Sequence, residues 1–318
     1  MILNQPERGK WGIPYQGSKT KLVEKLARYF PPADHFYDLF GGGFSVTHYM
    51  MMNRRKSFKH FHYNEIRPGL CELIQDAIAG KYSYDNFKPE WITRERFERE
   101  KESNAYIKII WSFGNNGKDY LFGKDIEQQK RSMHQAVVFD EFDSFMIATF
   151  GMDKWPNKLT IEGKRLYLKR ICAKRIDLQR IQRLQQLEQL ERIQRLERIE
   201  QLQQLKILNF TNLDYREVLI HPNSVIYCDI PYQRTADYGN SFNHTEFFNW
   251  AAQQVNPLFI SEYQIRDPRF HLLKEISHRS TFSATKDCGA NASGGVTERL
   301  YCNDIAMDIV NKHRNKSS

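Results

Sequence analysis

Residues 229–232 bring together a carboxylate, a stiff turn and an aromatic ring, directly after an apolar run at 225–228 that predicts a buried strand. Ligands of open α/β sheets collect outside the carboxyl ends of the strands, so this segment is predicted to face a cleft. Asp229 would there accept a hydrogen bond from an amine on a flat ring, and Tyr232 would stack on that ring. An acidic turn before proline also occurs without any function, so a plain turn is the alternative.

A second segment, residues 38–43, places an acid at the end of a predicted strand just before three glycines. Glycine allows a ligand to approach the backbone closely. The loop is neither a dinucleotide fingerprint nor a P-loop, since the G-x-G-x-x-G spacing and a following Gly-Lys-Ser/Thr are both missing. The acid Asp38 favours a cationic or amine-bearing ligand over a phosphate. A plain turn is again the alternative.

Glu65 ends the next predicted strand and could accept hydrogen bonds from two ribose hydroxyls, or it is an ordinary acid at a strand end. Together, Asp38, the glycines at 41–43 and Glu65 fit a nucleoside that lacks phosphate and carries an α-amino acid. S-adenosylmethionine is such a molecule.

Short apolar segments, separated by polar or glycine-containing stretches, predict the strands that position these residues. They lie at 36–40, 61–65, 206–210, 225–228, 257–261, 281–285 and 298–302. A helix capped by Ser18 is predicted to run to Phe30, and a second helix to start at Ser45. The order of strand, glycine loop, helix and strand with a terminal acid is typical of a nucleotide-binding βαβ unit.

Strand signals fade between about 71 and 177, where Lys, Arg, Glu and aromatic residues dominate. Segments 94–99, 107–111 and 163–170 predict helices, with a loop at 113–123 between the last two. We therefore divide the chain into a catalytic domain, a helical insertion and a low-complexity repeat. The domain bounds are 1–75 with 206–318, then 76–177, then 178–205.

The repeat carries Leu or Ile at every third position from Leu178 to Leu205, among Gln, Glu and Arg. Its composition favours helix. A coiled coil is not predicted, because at 100° per residue every third position drifts by about −60° around an α-helix. We interpret the repeat as a surface projection or spacer, with an oligomerisation module as the alternative.

The chain of 318 residues has 47 Lys and Arg against 38 Asp and Glu, a formal net charge of +9. That excess suits a polyanionic partner, because phosphate contacts supply most nonspecific affinity for nucleic acid. A merely basic soluble protein is the alternative. Five scattered cysteines predict neither a disulfide framework nor a structural metal site, and they indicate a reducing compartment. No signal segment or membrane-length apolar window is present, which predicts a soluble, cytoplasmic protein.

Four segments in this order resemble the motifs of DNA adenine-N6 methyltransferases of the Dam (D12) class. They are residues 14–19, 38–43, 64–65 and 229–232. Residues 113–123 and 297–300 are similar to further parts of the pattern, and the resemblance covers roughly 10–75 and 206–305. The departure is Ile230, where the family usually has proline.

The resemblance implies a Rossmann-like S-adenosylmethionine-dependent methyltransferase sheet with an inserted helical target-recognition domain. It also implies roles for single residues. Tyr15 and Lys19 would flank the cofactor, Glu65 would hold its ribose and Asp214 its adenine. The methionine end would lie on the donor loop, at Asp38, Phe40, Gly41 and Gly43. The target-base pocket would consist of Asp229, Ile230, Pro231 and Tyr232.

The implied reaction is methyl transfer to N6 of an adenine flipped out of double-stranded DNA, without a metal ion. The carboxylate of Asp229 and the carbonyl of residue 230 would hold the two amine hydrogens. Basic residues of the helical insertion are candidates for phosphate contacts, with a solvated charged face as the alternative. These candidates are Arg94, Lys108, Lys118, Lys124, Lys130 and Arg131.

Other acceptors stay open: cytosine N4, adenine in RNA, or a protein amide. A catalytically inactive DNA-binding relative is an alternative from another class, and a dinucleotide oxidoreductase is disfavoured by the loop spacing. The resemblance fits a prokaryotic or phage-encoded protein. A partner restriction endonuclease and the oligomeric state stay open.

Overall fold

The computed structural model describes residues 11–85, 87–174, 187–232, 242–279 and 295–317. The chain folds into two compact units. The first consists of Met1–Gly12, Gly17–Cys71 and Leu205–Ser318, and the second of Ile13–Gln16 and Glu72–Gln204.

The first unit contains a seven-stranded sheet in the order β3-β2-β1-β4-β5-β7-β6. The strands are β1 (His35–Asp38), β2 (His60–Asn64), β3 (Leu208–Thr211), β4 (Ser224–Asp229), β5 (Leu258–Glu262), β6 (His271–Arg279) and β7 (Gly295–Cys302). The first five strands pair in parallel, whereas β7 pairs antiparallel with both β5 and β6. This mixed α/β sheet confirms the predicted fold class.

The central strands explain why the sheet forms here. All of β5 and the first five residues of β4 are buried, as expected for parallel strands covered on both faces. From β1 the chain moves outward through β2 and β3 and then returns to β4, which lies on the other side of β1. Because the strand order reverses between β1 and β4, a crevice opens at their carboxyl ends. Asp38 and Asp229 end these two strands.

The helices of the first unit are α1 (Val23–Leu26), α2 (Ser45–Asn53), α10 (His244–Ala252) and α11 (Asp304–Ser317), and α3 (Leu70–Ile78) leads into the second unit. The predicted helix after Ser18 is wrong as a continuous element. It consists of α1 flanked by two 3₁₀ turns, and the Ser18 side chain makes no capping hydrogen bond.

The second unit is helical and contains no named strand in its described part. Its helices are α4 (Arg94–Glu100), α5 (Ala105–Ile110), α6 (Glu127–Phe139), α7 (Ser144–Phe150), α8 (Ile161–Lys174) and α9 (Glu188–Arg198). The three helices predicted in this region are confirmed. Side chains of Thr93, Asn104 and Asp143 cap α4, α5 and α7 by accepting from backbone N–H groups of the first turn.

The described part of the repeat, residues 187–205, is not a surface projection, and that expectation is wrong there. Six of its seven apolar side chains are at most 1% exposed: Leu187, Leu190, Ile193, Leu196, Ile199 and Leu202. The seventh, Leu205 at its end, is half-buried. Three positions spaced by three cover only about 120° of an α-helix, so α9 keeps Leu190, Ile193 and Leu196 on one side. A 3₁₀ helix then follows over Ile199–Gln204, and its three residues per turn return every third position to the same face. Residues 178–186 lie outside the described residues.

Two further observations complete the comparison with the sequence. Strand β6 was not predicted, because a bulge between Leu272 and Lys274 breaks its alternation of apolar and polar residues. The predicted strand at 281–285 lies outside the described residues. No helix in the described ranges is both long and apolar enough to cross a lipid bilayer.

Candidate active site

Asp38 lies at the end of β1 and is 1% exposed. Its Oδ2 accepts hydrogen bonds from Thr47, at 2.8 Å from the hydroxyl and 3.3 Å from the backbone N–H in the first turn of α2. Its Oδ1 is buried and has no hydrogen-bond partner among the described residues. Burial raises the pKa of Asp38 to about 7; the hydrogen bonds from Thr47 oppose this rise, and the charge of Asp229 adds to it.

The glycine loop after Asp38 lies directly against β2. A Cβ atom at Gly41 would come within 2.1 Å of the Tyr63 ring, so this close approach requires glycine. The Tyr63 hydroxyl donates a 2.7 Å hydrogen bond to the Gly42 carbonyl, and the Gly42 N–H donates a 2.9 Å bond to Glu65 Oε2. Tyr63 and Glu65 thereby fix the backbone of the loop.

Gly43 lies at the far end of the loop, where a Cβ atom at Gly12 would come within 2.1 Å of the Gly43 carbonyl. Gly12 has a φ of +68° and donates a 3.0 Å hydrogen bond to His48 Nδ1 in α2. The loop is thus held between β2 and residue 12.

Glu65 is 3% exposed. Besides the bond from Gly42, its carboxylate accepts two hydrogen bonds from Arg67, at 3.0 Å from the backbone N–H and 3.1 Å from Nε. Each carboxylate oxygen has two lone pairs, so Glu65 keeps acceptor capacity for a hydroxyl.

Phe40 and Asp214 lie in different surroundings. The Phe40 ring is partly buried and packs against Tyr215 and Phe247, with centroids 5.5 and 5.7 Å away. Asp214 forms a bidentate ion pair with Arg216, with Oδ1 at 2.7 Å from Nε and Oδ2 at 3.0 Å from Nη2. The hydrogen bonds from Arg216 lower the pKa of Asp214.

Asp229, at the end of β4, faces the ammonium of Lys19. Lys19 Nζ lies 2.9 Å from Asp229 Oδ1, 3.4 Å from Glu298 Oε2 and 4.8 Å from the centroid of the Tyr232 ring. The Tyr232 hydroxyl donates a 2.9 Å hydrogen bond to the same Glu298 oxygen. The Lys19 side chain is 5% exposed, against 19% for Asp229 and 13% for Glu298, so the cluster is largely shielded from water.

The ionisation of this cluster follows from burial and from its charges. Burial raises the pKa of Asp229 to about 6; the Lys19 charge opposes this rise and Glu298 adds to it. Burial also disfavours the charged form of Lys19, but Asp229 and Glu298 together outweigh it and raise the pKa of Lys19 above its usual range. At neutral pH the charged Lys19 ammonium therefore faces the carboxylate of Asp229.

Contacts with neighbouring side chains fix the remaining pocket residues. Ile230 is 2% exposed and belongs to a cluster of buried apolar residues. The Pro231 carbonyl lies 2.8 Å from His244 Nε2, which acts as the donor here because a carbonyl can only accept. The Tyr263 ring packs edge-on to Tyr232, with centroids 4.5 Å apart. These contacts fix the turn and the ring plane.

Tyr15 belongs to the segment Ile13–Gln16 of the second unit and is half-buried. Among the basic candidates in that unit, Lys130 is only 2% exposed. Its proposed phosphate contact is therefore wrong. Arg94 is bound to Glu127 at 3.0 Å and Lys108 to Glu102 at 2.7 Å, whereas the other three, Lys118, Lys124 and Arg131, are exposed.

Residues 15–144 match the family model of the D12 class N6 adenine-specific DNA methyltransferases. The resemblance noted in the sequence is thereby confirmed for that stretch, and it supports a methyltransferase. The match contains the donor loop and Glu65 but ends before Asp214 and the segment 229–232. No curated protein matches the sequence.

A solved rRNA methyltransferase, aviRa from Streptomyces viridochromogenes, aligns over 96% of this chain and 92% of its own at 9% identity. The TM-score of that alignment is 0.36, and a likeness at this level carries no argument.

One feature of the glycine loop would fit the amino group of S-adenosylmethionine. Asp38 Oδ1 is a buried acceptor without a donor among the described residues, and such an atom is costly unless a ligand satisfies it. A ligand ammonium would supply both the hydrogen bond and the charge. In the described part of the chain, no group of three or more His, Cys, Asp or Glu side chains could hold a metal ion.

Several residues of the site were not predicted as site residues. In the sequence Glu298 stands only within the segment 297–300 that resembles the family, with no role of its own. Tyr63 lies in β2 two residues before Glu65, which directly follows the strand, and in an extended backbone this spacing would place both side chains on one side. Thr47 has no sequence signal, since its contact depends on the angle between β1 and α2.

Proposed function

We propose that this protein transfers a methyl group from S-adenosylmethionine to N6 of adenine in double-stranded DNA. The observation that carries the proposal is the presence of two acids at the strand-order reversal, the buried Asp38 on the donor loop and the partly buried Asp229 beside the Tyr232 ring. The family match supports it at the donor loop.

Asp38, Phe40, Gly41 and Gly43 would hold the methionine end of S-adenosylmethionine, and Glu65 would hold its ribose. Lys19 and Tyr15 are proposed to flank it, and Asp214 to contact its adenine. When bound, the cofactor supplies an electrophilic methyl group on a sulfonium. Because Asp214 is occupied by Arg216, the adenine contact requires that this ion pair open or share its acceptors.

The acceptor nitrogen is a poor nucleophile, because its lone pair is conjugated with the ring. Asp229 and the carbonyl of residue 230 would accept hydrogen bonds from the two amine hydrogens and orient the lone pair. Asp229 can also take the proton that the nitrogen releases when its bond to the methyl group forms. Prepositioned acceptors of this kind supply a large share of many rate enhancements.

The target base must leave the duplex to reach this pocket, which costs a few kcal/mol. Stacking on Tyr232 would offset part of that cost, and Tyr263 and Glu298 hold the ring in place for it. Ile230 does not weaken the pocket, since any residue provides the backbone carbonyl. Its side chain is buried in the apolar cluster.

The experiment is transfer of a labelled methyl group to duplex DNA, RNA and protein, followed by mapping of the methylated base. We expect N6-methyladenine in duplex DNA. Asp229→Ala should abolish transfer while calorimetry still detects donor binding. Full activity of that variant would remove Asp229 from the mechanism, and DNA binding without donor binding would favour an inactive relative.

A further inference from the structure

In this structure the Lys19 ammonium contacts two groups that the proposed function assigns to the target adenine, Asp229 for its amine and the Tyr232 ring for its base. It lies 2.9 Å from the Asp229 carboxylate and 4.8 Å from the centroid of the Tyr232 ring. A cation over an aromatic face and beside a carboxylate is a stable arrangement. The ammonium therefore competes with an incoming amine for the same acceptor and the same ring.

The contact with Asp229 leaves room for exchange. Lys19 Nζ is the cation that holds Oδ1, at 2.9 Å. An amine N–H that donates to Oδ1 would take the place of this ammonium. The ammonium must then withdraw, and a buried ammonium without a carboxylate is strongly unfavourable.

Glu298 is placed to receive the ammonium. Its Oε2 lies 3.4 Å from Lys19 Nζ, only slightly farther than Asp229, and it also accepts the hydrogen bond from Tyr232. We propose, on the basis of the proposed function, that Glu298 is a positioning residue that holds the Lys19 ammonium while the target amine binds Asp229 and Tyr232. No covalent bond changes in this exchange: one N–H donor replaces another on Asp229, and the ammonium moves fully onto Glu298.

Glu298→Gln separates the two roles of this residue. The amide oxygen of glutamine still accepts the Tyr232 hydrogen bond, so the ring stays oriented, but the negative charge for Lys19 is lost. We expect Lys19 to stay on Asp229. Single-turnover methyl transfer and docking of the target base, followed by 2-aminopurine fluorescence, should fall about tenfold to hundredfold.

Donor affinity measured by calorimetry should stay nearly unchanged, since the donor loop is untouched. The control is Glu24→Gln, which removes an acid from an exposed ion pair with Arg28 on the first unit. It should match the parent protein in transfer and in docking.

A double-mutant cycle tests whether Glu298 acts through Lys19. At alkaline pH, where Asp229 is ionised, adding Glu298→Gln to Lys19→Met should cost little, because no ammonium is left to hold. The comparison of Lys19→Met with the double variant remains informative if Glu298→Gln alone does not fold. An equal loss in both backgrounds, or parental transfer by Glu298→Gln, would overturn the proposal. A parent protein that methylates no DNA would instead overturn the proposed function itself and this inference with it.

Discussion

At the scale of single residues, the charge of Lys19 acts on the ionisation of Asp229. The pKa of Asp229 is raised to about 6 although the Lys19 charge opposes the rise. The protonated carboxyl accepts poorly, so kcat/KM for transfer should rise with pH through about pH 6 and level off above it. A pH profile of the parent protein checks the position of this acid limb.

Removing the Lys19 charge should move that limb. In Lys19→Met, burial and Glu298 act on Asp229 without the opposing cation, so the limb should shift to higher pH. Lys19→Arg, which keeps the charge, is the control and should keep the limb near its parental position. A limb that stays in place in Lys19→Met would show that another group titrates.

The raised pKa of Asp229 also makes the stability of the protein depend on pH. Activity should rise with pH, whereas stability should fall. A carboxyl whose pKa is higher in the folded than in the unfolded protein contributes stability below the unfolded value of 3.8, and this contribution is lost as pH rises through about 6. For Asp38 the loss extends to about pH 7. Ionisation of Asp38 and Asp229 therefore lowers the stability of the protein as the pH approaches neutrality.

At the scale of elements, the contact between the glycine loop and β2 sets the shape of the donor site. Gly41→Ala places a Cβ atom 2.1 Å from the Tyr63 ring, and the ring or the loop must move. We expect the free energy of unfolding to fall by about 1–3 kcal/mol and donor affinity to fall with it, as measured by denaturation and calorimetry. Gly163→Ala in α8, where the nearest atoms are 3.4 Å away, is the control and should leave donor affinity unchanged.

The sequence predicted much of this sheet and less of the site. Apolar segments located β1, β4 and β5 to within a few residues, because buried parallel strands are continuous apolar runs. The rule on strand ends predicted that Asp38 and Asp229 lie at the same edge of the sheet. The meeting of Lys19 with Glu298 did not, since it depends on β7 entering between β5 and β6, and no local pattern encodes that insertion.

The repeat is a second feature whose structure could not be predicted from a local sequence pattern. Its period of three does not predict a long coiled coil, and α9 spans only 11 residues, too few for the stripe to wrap around the helix. Ile193→Ala should therefore lower the free energy of unfolding by about 2–4 kcal/mol, because Ile193 is fully buried. Urea denaturation checks this against Gln203→Ala, an exposed position that should change little. Equal, small effects at both positions would restore the interpretation as a spacer.

At the scale of the whole molecule, the net charge of +9 predicts affinity for DNA that depends strongly on salt. Each phosphate contact contributes about 0.9 to the slope of log K against log salt concentration. The exposed pair Lys118 and Lys124 should contribute to it, so replacing both by Gln should reduce the slope by about 1–2. Fluorescence anisotropy of labelled duplex DNA over a range of salt concentrations measures this.

Lys130→Met separates net charge from surface charge in the same experiment. Lys130 is buried, with its ammonium 5.4 Å from the centroid of the Phe122 ring, and burial lowers its pKa to about 8. Its replacement removes one charge from the molecule but none from the surface, so the salt slope should stay at the parental value. An unchanged slope in the Lys118/Lys124 variant, or a reduced one in Lys130→Met, would mean that DNA binds elsewhere on the chain.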